Sequence, residues 1–253
     1  MTSSEPVIEF RGVAKAFGDN QVYADMDLKV FPGETLTIIG GSGLGKSVCL
    51  KMIIGLISAD AGQILVHNEE VGTMTTEQLR QLRCRVSMVF QSGALFDSMN
   101  VLDNVGYALR EHTEQSDEEI EARVVTCLDM VGLGLAEFPE ILTLMPASLS
   151  GGMRKRVALA RSIALAPKAI LYDEPTTGLD PQNSTRIARM IRKLQKELGV
   201  TSVVVTHDMA LAWHVADRVA MLHERRFPFV EKVDAFRHTD NPIVRDFIEG
   251  RMD

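Results

Sequence analysis

Cysteine is scarce and scattered in this chain: Cys49, Cys84 and Cys127 are the three present in 253 residues. An odd number at such wide spacing offers neither a disulfide framework nor a metal cluster, so small buried thiols in a reducing compartment are expected. Long apolar runs are missing as well. None approaches the roughly 18–20 residues that span a bilayer, so the chain is not expected to cross a membrane by itself. The opening Met-Thr-Ser-Ser-Glu-Pro has neither the basic stretch nor the apolar core of a signal peptide, and none is expected. Positive charge is in deficit. A net charge of −7 argues against a broad nucleic-acid footprint. Internal repeats, low-complexity tracts and long linkers are also lacking. The remainder, 45% hydrophobic and 24% charged, is ordinary for a globular protein, in a length that suits one α/β domain with an appended subdomain.

Against those absences stands Gly40-Gly-Ser-Gly-Leu-Gly-Lys-Ser47, which fits the phosphate-loop pattern with Gly40, Gly45, Lys46 and Ser47 at its fixed positions. The apolar run Thr35–Ile39 before it reads as a buried strand, and Val48–Ile54 after it as a helix. Glycines let successive N–H groups face one anion, and the helix N-terminus adds the positive end of its dipole. The backbone of Gly40, Gly41, Ser42, Gly43, Leu44, Gly45, Lys46, Ser47 and Val48 is therefore the expected phosphate cradle. Lys46 would reach the β- and γ-phosphates and Ser47 a Mg²⁺ ion. Gly41 and Leu44 have no side-chain chemistry to offer. By average residue usage the bare pattern arises by chance in roughly one chain per hundred of this length, so other parts are needed.

Val7–Arg11 and Val22–Val30 alternate apolar and polar residues, as half-exposed antiparallel strands do. Gly62–His67, Val86–Phe90, Ala169–Tyr172 and Thr201–Thr206 read as further strands, the last two buried. Thr75–Cys84 reads as a helix with Thr76 as its cap. From about Ser92 to Ala166 the pattern turns helical; Ile120, Val124, Leu128 and Val131 form one stripe over residues 117–131. Residues 182–198 make a second amphipathic helix, with Ile187, Ile191, Leu194 and Leu198 on its apolar face. Strands alternating with helices predict a mainly parallel sheet covered on both sides.

Asp173 and Glu174 end a buried strand. In a phosphate-loop enzyme the first carboxylate of such a pair holds Mg²⁺, and the second is placed to polarise a water. Leu149-Ser-Gly-Gly-Met153, followed by basic residues and a helix, is a second anion site: a serine cap, two glycines and a helix dipole. One mononucleotide does not need two such sites.

With these motifs in place the chain resembles, over nearly its whole length, the ATP-binding subunit of an ABC transporter, in which Leu-Ser-Gly-Gly is the signature sequence. The resemblance implies a phosphate-loop NTPase fold of class α/β. It would have a RecA-like core over about 1–91 and 167–240, an N-terminal antiparallel β-subdomain, a helical subdomain over about 92–166 and a C-terminal tail over 241–253. It implies that Gln91 is the Q-loop glutamine near the metal, that Asp180 belongs to the D-loop, that His207 is the switch histidine and that Phe17 stacks on adenine. Ser150, Gly151 and Gly152 would close on ATP bound by a second copy, so a homodimer holding two ATP and Mg²⁺ is implied. Catalysis would fall to Glu174, His207, Gln91 and Lys46, and metal binding to Ser47, Gln91 and Asp173.

Finer likeness, in Phe90–Asp97, Gly151–Val157, Leu171–Asp180 and Asn241–Gly250, is to the ATPases of Mla/MCE-type lipid transport systems. It implies integral membrane permease subunits, a STAS-domain regulatory subunit, an MCE-domain protein and a place on the cytoplasmic face of a bacterial inner membrane. No nucleic acid is expected. Ser92–Tyr107 would either line the groove that receives a permease helix or simply pack the helical subdomain. A small-solute importer remains the main alternative, and a non-transport ABC ATPase or a nucleotide kinase fits less well. One departure stands out: Glu224–Val230 has no glycine where the family usually turns on one, which leaves the pairing of the C-terminal region open.

Overall fold

A pair of long strands, with burial alternating from Met26 to Val30, sets the first layer. In a computed structural model that describes residues 5–251, strands β1 (Ile8–Phe17) and β2 (Asn20–Val30) pair antiparallel. They turn Ile8, Phe10, Val13, Tyr23, Met26 and Leu28 into the core. Strands β4 (Ala61–Val66) and β5 (Glu69–Glu70) extend this sheet in the order β2-β1-β4-β5. The expected core and tail include residues 1–4 and 252–253, which lie outside the described residues.

The second sheet is built from runs that are buried along their whole length. These are β3 (Thr35–Ile39), β7 (Ala169–Asp173) and β8 (Thr201–Val205), joined by β6 (Val86–Val89), β9 (Arg218–His223) and β10 (Arg226–Lys232). The order is β10-β9-β3-β8-β7-β6. All pairs are parallel except the β9–β10 hairpin, as strands covered by helices on both faces require.

Helix α1 (Lys46–Ile53) follows β3, and α2 (Thr76–Arg85) precedes β6. The cap of α2 is Thr75, not Thr76. Gln78, three residues on, completes a reciprocal capping box with Thr75, a partner that Thr76 lacks. Between β6 and β7 lie α3 (Val101–His112), α4 (Asp117–Met130) and α5 (Gly151–Ile163). The stripe Ile120, Val124, Leu128 and Val131 is buried and belongs to one apolar cluster with Val89, Ile170, Tyr172 and Val204 of the sheet. The helices of this region therefore share a core with one face of the sheet.

Helix α6 (Pro181–Leu198) buries Ile187, Ile191 and Leu194 but leaves Leu198 exposed beside its C-terminal Gly199. Helix α7 (Met209–Val215) follows β8. The glycine-free stretch closes as a two-residue turn, with Glu224 at φ 45° and Arg225 at φ 67°. Left-handed backbone costs a non-glycine residue about 1–2 kcal/mol, and here the tip is bonded to β2. Ala24 N–H donates to Arg225 O at 3.0 Å, and Arg226 Nε to Ala24 O at 2.9 Å. Helices α8 (Val233–Arg237) and α9 (Pro242–Ile248) follow. Phe236 and Val244 are buried with Ile39, Ala212, Ala216 and Met221 in a third apolar cluster. Cys49 and Cys127 are buried, and burial pushes both thiols up, whereas Cys84 is only half-buried. Among the described residues no helix is long and apolar enough to cross a membrane.

Candidate functional site

Parallel register assembles the site. Ile38 and Asp173 both pair with Val205, and Tyr172 pairs with Val89, so β3, β8, β7 and β6 end at the same edge. The segments leaving that edge are Gly40–Ser47, His207, Glu174 and Gln91, brought together from four distant stretches of sequence. The carboxyl ends of parallel strands are where open α/β sheets bind ligands.

The loop Gly40–Ser47 needs glycine at two points for different reasons. At Gly40 a Cβ would sit 2.7 Å from the Leu222 carbonyl oxygen; at Gly45 it would sit 2.1 Å from Val22 Cγ1. Gly45, left-handed at φ 98°, is the N-cap of α1 and supplies no side-chain cap, so the first N–H groups of the helix are left for an external acceptor. Its carbonyl accepts from Val48 N–H at 2.8 Å and from the buried Tyr23 hydroxyl at 2.5 Å. Lys46 Nζ donates to Gly40 O (3.0 Å) and Gly41 O (2.9 Å) and lies 4.0 Å from Glu174 Oε1. Burial pulls the Lys46 ammonium below the usual lysine range, and Glu174 and Asp173 oppose that pull. Ser42, Gly43 and Leu44 are exposed at the rim. A cleft of about 1080 Å³ opens there, lined by Gly41, Leu44, His207, Met209, Arg225 and Phe247.

Ser47 Oγ donates to Asp173 Oδ1 at 2.6 Å. Glu174 leaves the strand in left-handed backbone at φ 47°, which turns its side chain out of the strand's alternation. Such strain persists only when the surroundings hold it. Here Glu174 N–H donates to Val205 O at 2.9 Å. Its carboxylate lies 2.9 Å from His207 Nδ1 and accepts from Thr177 and Thr206 hydroxyls at 3.4 Å. Asp208, next to His207, caps α7.

Gln91 is exposed and opens the segment 91–94, which turns at Gln91 and Ser92, where Gly93 N–H donates to Phe90 O at 2.8 Å. Two basic residues of α5 hold that turn by its carbonyls: Lys155 Nζ bonds Gln91 O, and Arg161 donates to Gly93 O and Ala94 O, each at 2.8 Å. Burial lowers the Lys155 ammonium against the opposing fields of Glu174 and Asp173.

The Leu149–Gly152 segment stands apart. Exposed Ser150 caps α5, accepting from Met153 N–H at 3.2 Å. A Cβ on Gly152 would lie 3.0 Å from Asn183 Oδ1, and one on Gly151 3.9 Å from Leu179, so the glycines face α6 and its approach. Asp180 caps α6, accepting from Asn183 N–H at 2.9 Å, and that bond holds its carboxyl below the usual range. Phe17 ends β1, 47% exposed, with Lys15 Nζ 5.2 Å from its ring centroid. It sits one hairpin turn before Val22 and Tyr23, the residues under Gly45. Sequence reasoning gave no site role to Tyr23, Thr206, Lys155 or Arg161, although Thr206 precedes His207 and Lys155 lies within the Gly151–Val157 segment already singled out.

Of the Ser92–Tyr107 stretch, Val101 and Val105 are buried in the helical core, while Phe96 and Tyr107 are exposed and meet in a tilted pair with ring centroids 5.1 Å apart. With Met88, Phe90, Ala94 and Leu165 they line a groove of about 300 Å³.

Comparison with known proteins gives the family of the chain. The pattern of the family described as ABC transporter matches residues 23–177. The chain is 40% identical to the intermembrane phospholipid transport system ATP-binding protein MlaF of Escherichia coli K12, over 98% of this chain and 90% of that protein. It is 37% identical to the probable ribonucleotide transport ATP-binding protein mkl of Mycobacterium leprae, over 96% of this chain and 69% of that protein. The dimeric post-hydrolysis structure of the ATP-binding cassette MJ0796 with ADP and Pi superposes with a TM-score of 0.80 at 31% identity, covering 89% of this chain and 98% of that one. The chain belongs to the ABC transporter family, and it is an ATPase.

Proposed function

We propose that this ATPase powers movement of lipid across or between membranes, working as a head-to-tail homodimer bound to permease subunits. The likeness to a phospholipid transport ATPase across 98% of this chain and 90% of that protein supports the lipid reading over the ribonucleotide reading, whose named relative is matched over 69% of its length. What carries the dimer is the separation of the two anion-directed helix ends. Ser150–Gly152 pack toward α6 while the loop Gly40–Ser47 meets Lys46, Asp173, Glu174 and His207 of its own chain. A second copy, turned head to tail, would bring one to the other, and the similar cassette of known structure is dimeric.

The donor set fits Mg²⁺. Ser47 hydroxyl and Asp173 carboxylate are hard oxygens already 2.6 Å apart, and Mg²⁺ is held by one or two protein oxygens with waters and phosphates completing its shell. Gln91 would add an amide oxygen. The ion would neutralise charge on the phosphate oxygens. The chain's own residues do the rest. Lys46 and the uncapped N–H groups of α1 bind phosphate, Glu174 accepts a proton from the attacking water, and His207 fixes the Glu174 carboxylate. Phe17 offers its exposed face to the base, and Asp180 shapes the approach to the partner.

The Phe96–Tyr107 groove, continuous with the turn after Gln91, is where a permease helix would seat, on the cytoplasmic face of a bacterial inner membrane. A STAS-domain subunit and an MCE-domain protein are the further partners this reading expects. Copurification from a membrane extract tests it: a permease with an MCE-domain protein is the expected result, and a permease with a small-solute binding protein would point to the importer. The tail gives a second check. Because Val244 is buried in its own chain, deleting 241–253 should lower the unfolding midpoint as well as weaken assembly, and an unchanged midpoint with intact dimers would dismiss both effects.

A further inference from the structure

Helix α5 carries the signature sequence at its start and grips the Gln91 turn along its side. Lys155, Ala158 and Arg161 recur every three residues, which places them on neighbouring positions of one helix face. Lys155 bonds the Gln91 carbonyl, and Arg161 the carbonyls of Gly93 and Ala94. Ala158 Cβ lies 3.4 Å from where a Cβ on Gly93 would stand. The turn so held has two consecutive left-handed residues, Gly93 at φ 80° and Ala94 at φ 47°, so it is a shape that external bonds must maintain. Lys155 is only 7% exposed and forms no ion pair within 4.0 Å among the described residues. A buried ammonium spent on a backbone carbonyl is an expensive way to pack a helix, and it makes a charge-assisted bond that an apolar side chain could not. From Ser150 to Lys155 is five residues, about 7.5 Å of helix at 1.5 Å per residue.

We propose that Lys155 is a positioning residue, a strut through which Gln91 at one ATP site and Ser150–Gly152 at the other site move as one body. This rests on the head-to-tail dimer. A change at the first site's γ-phosphate that shifts Gln91 would then shift the lid over the second, since rigid helices transmit such displacements.

The test uses full-length mixed dimers in which one subunit carries Glu174→Gln, leaving one working site built on the other subunit's phosphate loop. Lys155→Met is placed in either subunit, and single-turnover ATP hydrolysis and ATP affinity are measured. Both placements should slow hydrolysis roughly 10- to 100-fold, the cost of a small misplacement far from the chemistry, with affinity within about twofold. Lys155→Arg, which keeps a cationic donor, should recover most of the rate. Slowing confined to one placement, affinity lost in step with rate, or arginine no better than methionine would each overturn the strut. If Lys155→Met fails to fold, Lys155→Gln, a neutral donor, replaces it with the same two-placement result expected. Ser150→Ala in the Glu174→Gln subunit reports the dimer reading separately. A fast remaining site there withdraws that reading and the strut with it, whereas a slow one with a one-sided Lys155 result withdraws the strut alone.

Discussion

Two helices of this chain begin at glycines and are finished in opposite ways. At α1 the cap residue is Gly45, no side chain satisfies the first N–H groups, and a lysine and two carboxylates crowd the opening. At α5 the Ser150 hydroxyl satisfies the Met153 N–H, and the surroundings of Gly151 and Gly152 are Leu179 and Asn183. The first end has what a metal-bound polyphosphate requires: donors for its oxygens, a cation, and acidic oxygens for the metal and water. The second has donors only. It can cover an anion but cannot prepare one for attack. On the proposed reading, binding and covering are divided between these two ends, and a second copy joins them.

The largest test of that division is Glu174→Gln. Loss of the positioned base should lower turnover by about 10²–10⁴ while leaving ATP bound and the closed dimer accumulating; hydrolysis near the wild-type rate would remove the feature that most separates the two ends. Next is Lys46→Ala, which deletes the cation of the first end. Charge-assisted hydrogen bonds contribute about 1.5–3 kcal/mol, so ATP affinity measured by titration should fall roughly 10- to 100-fold. Unchanged affinity would make α1 no better an anion site than α5. Smallest is Tyr23→Phe. It removes the hydroxyl that bonds the Gly45 carbonyl, one hydrogen bond of about 1 kcal/mol, and should weaken ATP binding a few-fold with little change in turnover. An effect on turnover alone would place Tyr23 outside the seat of the loop.

The fold and the two glycine-led ends were legible because their signals are local. A run such as Thr35–Ile39 followed by Gly40–Ser47 writes strand, loop and helix into consecutive residues, and the apolar stripe from Ile120 to Val131 needs only its own helix to be seen. Contacts that cross the sequence were not legible. Lys155 and Gln91 are 64 positions apart, and nothing in either neighbourhood marks the bond. Tyr23 reads as one more buried aromatic on an alternating strand until the loop is folded over its hydroxyl. The pairing left open at Glu224–Val230 is a hairpin that turns without glycine, its strained tip held by β2, some 200 residues earlier in the chain. Thr75 rather than Thr76 caps α2 through Gln78, a one-residue choice that only the spacing of the capping box decides.

The division of labour between α1 and α5 is tested most directly by complementation. One mixed dimer pairs a Lys46→Ala subunit with a Ser150→Arg subunit; the other pairs a subunit carrying both changes with an unaltered one. Head-to-tail sharing places both lesions in one site of the first dimer and leaves its second site whole, so that dimer should hydrolyse ATP. In the second dimer each site carries one lesion, and hydrolysis should be lost. The reverse pattern, activity in the second and none in the first, would show that each chain completes its own site and would contradict the account.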